Sequence, residues 1–235
     1  VDVICWDDNN KTHTLDLPLV DLNSYDMNDL DFLILSPGIP HTLPAPNPIV
    51  LRAKQAGIRL VNDVYLFKES YQHDVIAVTG TNGKSTTTAL LHHILQDSQM
   101  GGNIGTPLMS LENDVDVTVA ELSSYQTEIT NNLGARGVVW LNITPDHLDR
   151  HGDMVGYVQA KSRIFETNKE GGVAVICIDD MYSDKMYKTV KQSGQWQVIP
   201  VSTQKKLDEG ISIVEGQIFE YGKLVGSMER AERLK

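Results

Sequence analysis

Cysteine is almost missing from this sequence: Cys5 and Cys177 are the two in 235 residues. Each sits in an apolar, strand-like run (VDVICW and VAVICI), which reads as a small core residue rather than half of a disulfide. Such sparse use of cysteine suits a reducing compartment, the cytoplasm. Positive charge is also short, with 20 Lys and Arg against 31 Asp and Glu and a formal net charge of −11. A surface that grips a nucleic-acid backbone needs the opposite excess, so nucleic acid is not expected as a partner. Small anionic ligands stay open, because main-chain amides and metal ions can hold them within an acidic protein. No apolar run approaches the roughly 20 residues of a membrane-spanning helix, and the opening VDVICWDD has neither the basic start nor the apolar stretch of a signal peptide. Neither a membrane nor secretion is expected.

What is present is an alternation of strand and helix. VDVICWD and DLDFLILSPGI read as strands. NPIVLRAKQAG reads as a helix with Asn47 as N-cap, Pro48 in its first turn and Gly57 as terminator. IRLVNDVYLF reads as a strand or strand-turn. The polar break KESYQHD places a domain boundary near residue 73. Beyond it, VIAVTG, VDVTVAEL, GVVWLNIT, GVAVICID and QWQVIPV read as strands. KSTTTALLHHILQ, MVGYVQAKSRIFETN and MYSDKMYKTVKQ read as helices, the first with Leu90, Leu91, Ile94 and Leu95 on one face. ISIVEGQIFEYGKLVGS reads as a small antiparallel ribbon. The fold class is therefore α/β, a mostly parallel sheet with helices on both faces. The run from Gln96 to Met100 leaves little chain for a crossover, so either the crossover is minimal or a few residues are missing there; the spacing favours the second.

The stretch AVTGTNGKSTTT carries the chemistry. A strand, a glycine-rich turn and an immediate helix form an anion trap, with successive N–H groups and the positive end of the helix dipole facing one point. Lys84 can neutralise phosphates and the Ser85 hydroxyl can complete a magnesium shell. Gly80 and Gly83 permit positive φ and close backbone approach. Val78 stands where the general phosphate-loop pattern has its first glycine, so this is a shortened variant. The bland alternative is a Gly-Lys turn capped by Ser or Thr.

GTNGKST resembles the ATP loop of the Mur ligase family, which builds the peptide of cell-wall precursors, and of its folylpolyglutamate synthetase relatives. LSPGIP (35–40), GGNIG (101–105), AELSSYQ (120–126), NITPDHLDRHG (142–152) and QAK (159–161) look like the branch of the family that adds D-glutamate. The resemblance spans nearly the whole chain. It implies a partial Rossmann-like N-terminal domain holding UDP (1–72) and a P-loop NTPase-like central domain binding ATP (73–235). A first glycine-rich strand-turn would precede Val1, and an amino-acid-binding C-terminal domain would follow Lys235. The implied substrates are UDP-N-acetylmuramoyl-L-alanine and D-glutamate, the implied cofactors ATP and two magnesium ions, and the implied state a monomer. The alternatives are another Mur ligase, a folylpolyglutamate synthetase-like ligase, or a P-loop kinase or NTPase.

The same resemblance distributes roles. Gly80, Thr81, Asn82, Gly83, Lys84, Ser85 and Thr86 would hold ATP. Ser85, Glu121, His147 and Lys161 would serve the metals, Lys161 as a carbamate formed with CO2. Lys84, His147 and Lys161 would be catalytic. Ser36, Pro37, Gly38, Ser123 and Gln126 would meet the substrate, Asn103 the substrate or a phosphate, and Asp7, Asp8 and Asn9 would lie near the uracil. From residue chemistry alone, an acid after a strand such as Glu121 reads more readily as a solvated cap, and the ELSSYQ context reverses that. Imidazole is an unusual magnesium ligand, and a free lysine is mostly ammonium and cannot attack CO2 unless burial or neighbouring cations lower its pKa. Asp146 and Asp149 read as caps of the helix after TPDH, with Asp149 and Arg150 as a local pair. His92 and His93 match no motif.

Overall fold

A computed structural model describes residues 2–7, 17–130, 132–166 and 168–227. Asp8 and Asn9, expected near a uracil, lie outside them. In chain order the elements are β1 (Phe32–Ile34), α1 (Pro48–Gln55), β2 (Arg59–Val61), α2 (Asp63–Ser70), β3 (Asp74–Thr79), α3 (Lys84–Ile94), β4 (Ser98–Gly102), β5 (Val117–Glu121), α4 (Ser124–Ile129), β6 (Ala135–Trp140), α5 (Leu148–His151), α6 (Met154–Ser162), β7 (Asn168–Cys177), α7 (Met181–Ser193), β8 (Gln197–Ser202), β9 (Ile211–Val214), β10 (Gln217–Glu220) and β11 (Lys223–Ser227). The α/β class holds. A nine-stranded sheet runs β11-β10-β9-β8-β7-β6-β3-β5-β4. It is parallel from β4 to β9, and β9, β10 and β11 form the expected antiparallel ribbon at its end.

The centre of that sheet reads as continuous apolar sequence because both of its faces are covered. Val75, Ala77, Ala120, Val138, Trp140, Ala174 and Ile176 are buried in one core with Tyr157 of α6 and with Ile164 and Phe165. The chain leaves β3 for β4 on one side, while β6 lies on the other. Such a reversal of strand order opens a crevice at the carboxyl ends of the strands, where open α/β sheets bind ligands.

The N-terminal piece is smaller. β1 and β2 pair in parallel, and Leu22, Met27, Ile49 and Ala53 form a separate core with Ile4, Trp6 and Leu33 packed against it. The expected first strand, VDVICWD, is represented among the described residues by one bridge, Cys5 to Leu19. The α1 reading holds in detail: the Asn47 side chain accepts the Ile49 N–H, Pro48 opens the helix, and Gly57 follows at φ 74°.

Two readings need correction. IRLVNDVYLF is not one strand: Asn62 accepts the Tyr65 N–H and starts α2, and Asn is a preferred cap because its short carbonyl reaches an unpaired helix donor. Val64, Phe67 and Tyr71, on or just after α2, are buried in the core of the large sheet. In α3, Leu90 and Ile94 are exposed, at 49% and 71%, and Thr88 is buried instead. The passage from α3 to β4 is short. Leu95 caps the helix, Asp97 turns in the left-handed region at φ 54°, and β4 begins at Ser98.

Candidate active site

The β3–α3 loop is fixed from the far side by the segment after β6. Thr81 N–H donates to the Asn142 carbonyl at 2.8 Å, and the Asn142 side chain clasps Asn82 twice, accepting from its N–H and donating to its carbonyl, both at 2.9 Å. Thr144 N–H donates to Thr81 Oγ1 at 3.0 Å. Gly80 is forced by this closeness: its φ is 148°, and a Cβ there would stand 2.9 Å from the Leu141 Cβ. The amides of Thr81 and Asn82, expected to face an anion, are therefore committed to Asn142. Those of Gly83, Lys84, Ser85 and Thr86 have no acceptor among the described residues. The first N–H groups of a helix lack intrahelical acceptors, and α3's ladder begins with Thr87 N–H donating to Gly83. Gly83, at φ 84°, makes no side-chain cap. The Lys84 ammonium reaches back to the Thr81 carbonyl at 2.9 Å.

Lys161 comes to the same point from α6. It is 2% exposed, and its Nζ donates to the Gly80 carbonyl at 3.0 Å. Burial pushes its pKa down from 10.5 to about 7, the nearby Lys84 charge pushes in the same direction, and Asp146 and Glu121 partly oppose them. Both requirements for a reactive amine, desolvation and a cationic neighbour, are thus present. Tyr157 ties the residues together. Its hydroxyl meets Thr81 Oγ1 at 3.1 Å, and its ring centre lies 5.0 Å from Lys161 Nζ and 6.5 Å from the His147 ring.

Glu121 ends β5 and is 1% exposed. Its Oε1 accepts from the Asn103 side chain at 3.1 Å, while Oε2 is buried with no hydrogen-bond partner among the described residues. An acceptor stripped of water and left unpaired is costly, and a carboxylate oxygen in that state fits a cation. The crossing that places it is very close. Gly102 pairs with Glu121 at φ 119°, and a Cβ on it would stand 2.2 Å from the Glu121 carbonyl oxygen. Gly102→Ala is accordingly expected to cost roughly 2–3 kcal/mol, read as a lower urea midpoint; an unchanged midpoint would mean that β4 is not locked to β5.

His147 adopts φ 51° at the start of α5. Its Nδ1 lies 3.1 Å from the Tyr125 hydroxyl and its Nε2 3.4 Å from Asp146. Asp146 does not cap α5 but accepts the His147 N–H; the helix has no side-chain cap. Arg150 leaves Asp149 for Glu128 at 3.4 Å and the Ile39 carbonyl at 3.0 Å, joining the N-terminal piece to the site domain. No cluster of three or more His, Cys, Asp or Glu among the described residues could hold a metal ion by itself. The candidate donors, the buried Glu121 oxygen and the exposed Ser85 hydroxyl, are of the oxygen type that suits magnesium, which binds through one or two carboxylates with phosphates and waters. The residues present fit a magnesium nucleotide.

The residues expected at a substrate make local contacts of their own. Ser123 and Gln126 form a reciprocal capping box at the start of α4, and Gln126 also donates to Asp63 at 3.0 Å. Ser36, Pro37 and Gly38 form an exposed turn closed by Ile39 N–H donating to the Ser36 carbonyl at 2.9 Å. Asn142, Thr144 and Tyr157 hold the loop without having been singled out from sequence. Asn142 and Thr144 lie inside the quoted NITPDHLDRHG run, so the signal was adjacent. Tyr157 reads as an ordinary core aromatic.

Comparison with known proteins agrees with this geometry. The Mur ligase middle domain family matches residues 78–221. The UDP-N-acetylmuramoylalanine–D-glutamate ligase of Caulobacter sp. (strain K31) is 39% identical over 93% of this chain and 50% of its own length. Its namesake from Rhodospirillum rubrum is 40% identical over 93% of this chain and 49% of its length. The chain thus spans about half the length of the curated relatives it matches. Among solved structures, the crystal structure of MurF from Acinetobacter baumannii superposes with a TM-score of 0.53 at 21% identity, over 77% of this chain and 42% of that one. The ADP complex of MurF from Thermotoga maritima gives 0.51 at 16%, over 86% and 58%. At these identities the structural matches speak for the fold.

Proposed function

The chain belongs to the Mur ligase family, and from that premise we propose that it is the nucleotide-binding part of an ATP-dependent ligase joining D-glutamate to UDP-N-acetylmuramoyl-L-alanine. The observation that carries the reading is the presence, among the described residues, of four amides without acceptors, Gly83 to Thr86, together with a buried Glu121 oxygen that has no partner there. The relatives' printed activity and the bound ADP of a structural neighbour support it.

A carboxylate has no good leaving group, so amide formation needs the acid activated. The nucleotide supplies the γ-phosphoryl group: a carboxylate oxygen bonds to phosphorus as ADP leaves, and the amine then bonds to the acyl carbon as phosphate leaves and the amine proton is lost. The protein's share is positioning and charge neutralisation. The amides of Gly83 to Thr86 and the Lys84 ammonium would hold the phosphates, with Thr81 and Asn82 fixing the loop's shape. Ser85 and Glu121 would offer oxygen to the first magnesium; His147 and a carbamylated Lys161 would serve the second. Ser123 and Gln126 would meet the muramoyl end through the α4 start they shape. The Ser36–Pro37–Gly38 turn would face the diphosphate. No helix among the described residues is long and apolar enough to cross a membrane; a monomer in the cytoplasm is the setting this reaction implies.

Assaying the whole protein for phosphate release with ATP, the UDP-linked acceptor and a panel of D- and L-amino acids tests the proposal. Release is expected with D-glutamate alone. ATP turnover without an amide product, or equal release with other amino acids, would overturn it.

A further inference from the structure

The resemblance gives Asn103 to the substrate or a phosphate, but its contacts point elsewhere. Its main-chain N–H donates to the Glu121 carbonyl at 2.8 Å, and its side-chain Nδ2 donates to Glu121 Oε1 at 3.1 Å. One residue therefore grips both the backbone and the carboxylate of another. The strand crossing at Gly102, where no Cβ fits, sets the approach, so Asn103 follows directly from the tightest point of the β4–β5 contact. Glu121 is 1% exposed and cannot recruit bulk water to its second oxygen, which has no partner among the described residues. A carboxylate free to rotate could present either oxygen, or both, to a cation. With Oε1 tied to an amide donor, it presents one oxygen in one direction.

We infer that Asn103 is a positioning residue: its amide occupies Oε1 of Glu121, so that Oε2 becomes a single, pre-aimed attachment point for the divalent cation that accompanies the nucleotide. The inference rests on the ligase reading for the identity of the cation. It assigns to Asn103 a role in metal binding that needs no acceptor substrate. Residues that orient a metal ligand through a hydrogen bond commonly change metal affinity about 10- to 100-fold when removed.

The test is a calorimetric titration of this chain with Mn2+ at saturating ADP, and with ADP in the absence of metal. Asn103→Ala keeps the main-chain N–H that holds β4 and loses the side-chain donor. It is expected to weaken Mn2+ binding at least tenfold while metal-free ADP binding stays within about twofold of the unsubstituted chain. Asn103→Leu, similar in shape and without a donor, should match it and keeps the test answerable if the alanine variant loses its fold. Unchanged Mn2+ affinity in folded variants, with a raised KM for the UDP-linked acceptor in the whole protein, would overturn the inference and return Asn103 to the substrate. If the unsubstituted chain bound no Mn2+ with ADP, the ligase reading would fail first and carry this inference with it.

Discussion

Replacing Lys84 with alanine is expected to lower ATP-dependent amide formation by about 10³-fold or more, because the substitution removes the loop's mobile positive charge from a site whose catalysis is largely electrostatic. Thermal unfolding should move by only a few degrees. The side chain is half-buried, and its recorded hydrogen bond is to the Thr81 carbonyl, a main-chain oxygen that the loop holds in place by other means. Thr81 and Asn82 are anchored through Asn142 and Thr144, so the loop should survive without the lysine. That independence makes the experiment informative: a dead but folded variant locates the loss in charge and not in architecture. Lys84→Met retains the aliphatic stem and should be equally inactive. Amide formation retained in either variant would contradict the assignment of this loop to the triphosphate.

The loop, the parallel sheet and the ribbon were legible because each has a local signature. β3, β5 and β6 are apolar runs with both faces covered, and the turn between β3 and α3 carries glycines where the backbone takes positive φ. What escaped were features decided by partners distant in sequence. Thr81 and Asn82 read as anion-facing, and only the fold brings Asn142 against them, 60 residues away for the Asn82 contacts. α2 is short, and its Val64 and Phe67 look like strand residues until Asn62 is recognised as a cap. The apolar face assigned to α3 failed for a related reason. Periodicity shows that a helix has an apolar stripe but not which stripe the sheet covers, and Leu90 and Ile94 fall on the uncovered one. For Lys161, position in a motif raised the suspicion of unusual chemistry, while its burial, the physical cause, could be known only from packing.

Lys161→Met should separate the needs of that chemistry from those of the fold. Turnover is expected to fall about 100-fold or more, yet the folded state should gain stability under mildly acidic conditions. The amine's pKa is lowered from 10.5 to about 7 by burial first and the Lys84 charge second. Below pH 7 both the folded and unfolded chains carry the proton, and the folded chain bears the full cost of a buried ammonium. Between about 7 and 10.5 the unfolded chain binds more protons, so the stability of the unsubstituted protein rises with pH, and above 10.5 the cost is gone. Methionine removes the cost at every pH. Its advantage should therefore be greatest below pH 7, on the order of 2–4 kcal/mol given about 1.4 kcal/mol per pKa unit and partial relaxation, and should shrink steadily toward pH 10. Urea unfolding at pH 6 and pH 9.5 reads the difference; equal gains at both would mean that Lys161 is not the titrating group. The same depressed pKa leaves a substantial neutral amine near pH 7, able to form an Nζ–carbon bond to CO2 with loss of a proton to solvent. Labelled bicarbonate should accordingly give a carbamate carbon signal in the unsubstituted chain and none in Lys161→Met, and a signal absent from both would overturn the carbamate at Lys161.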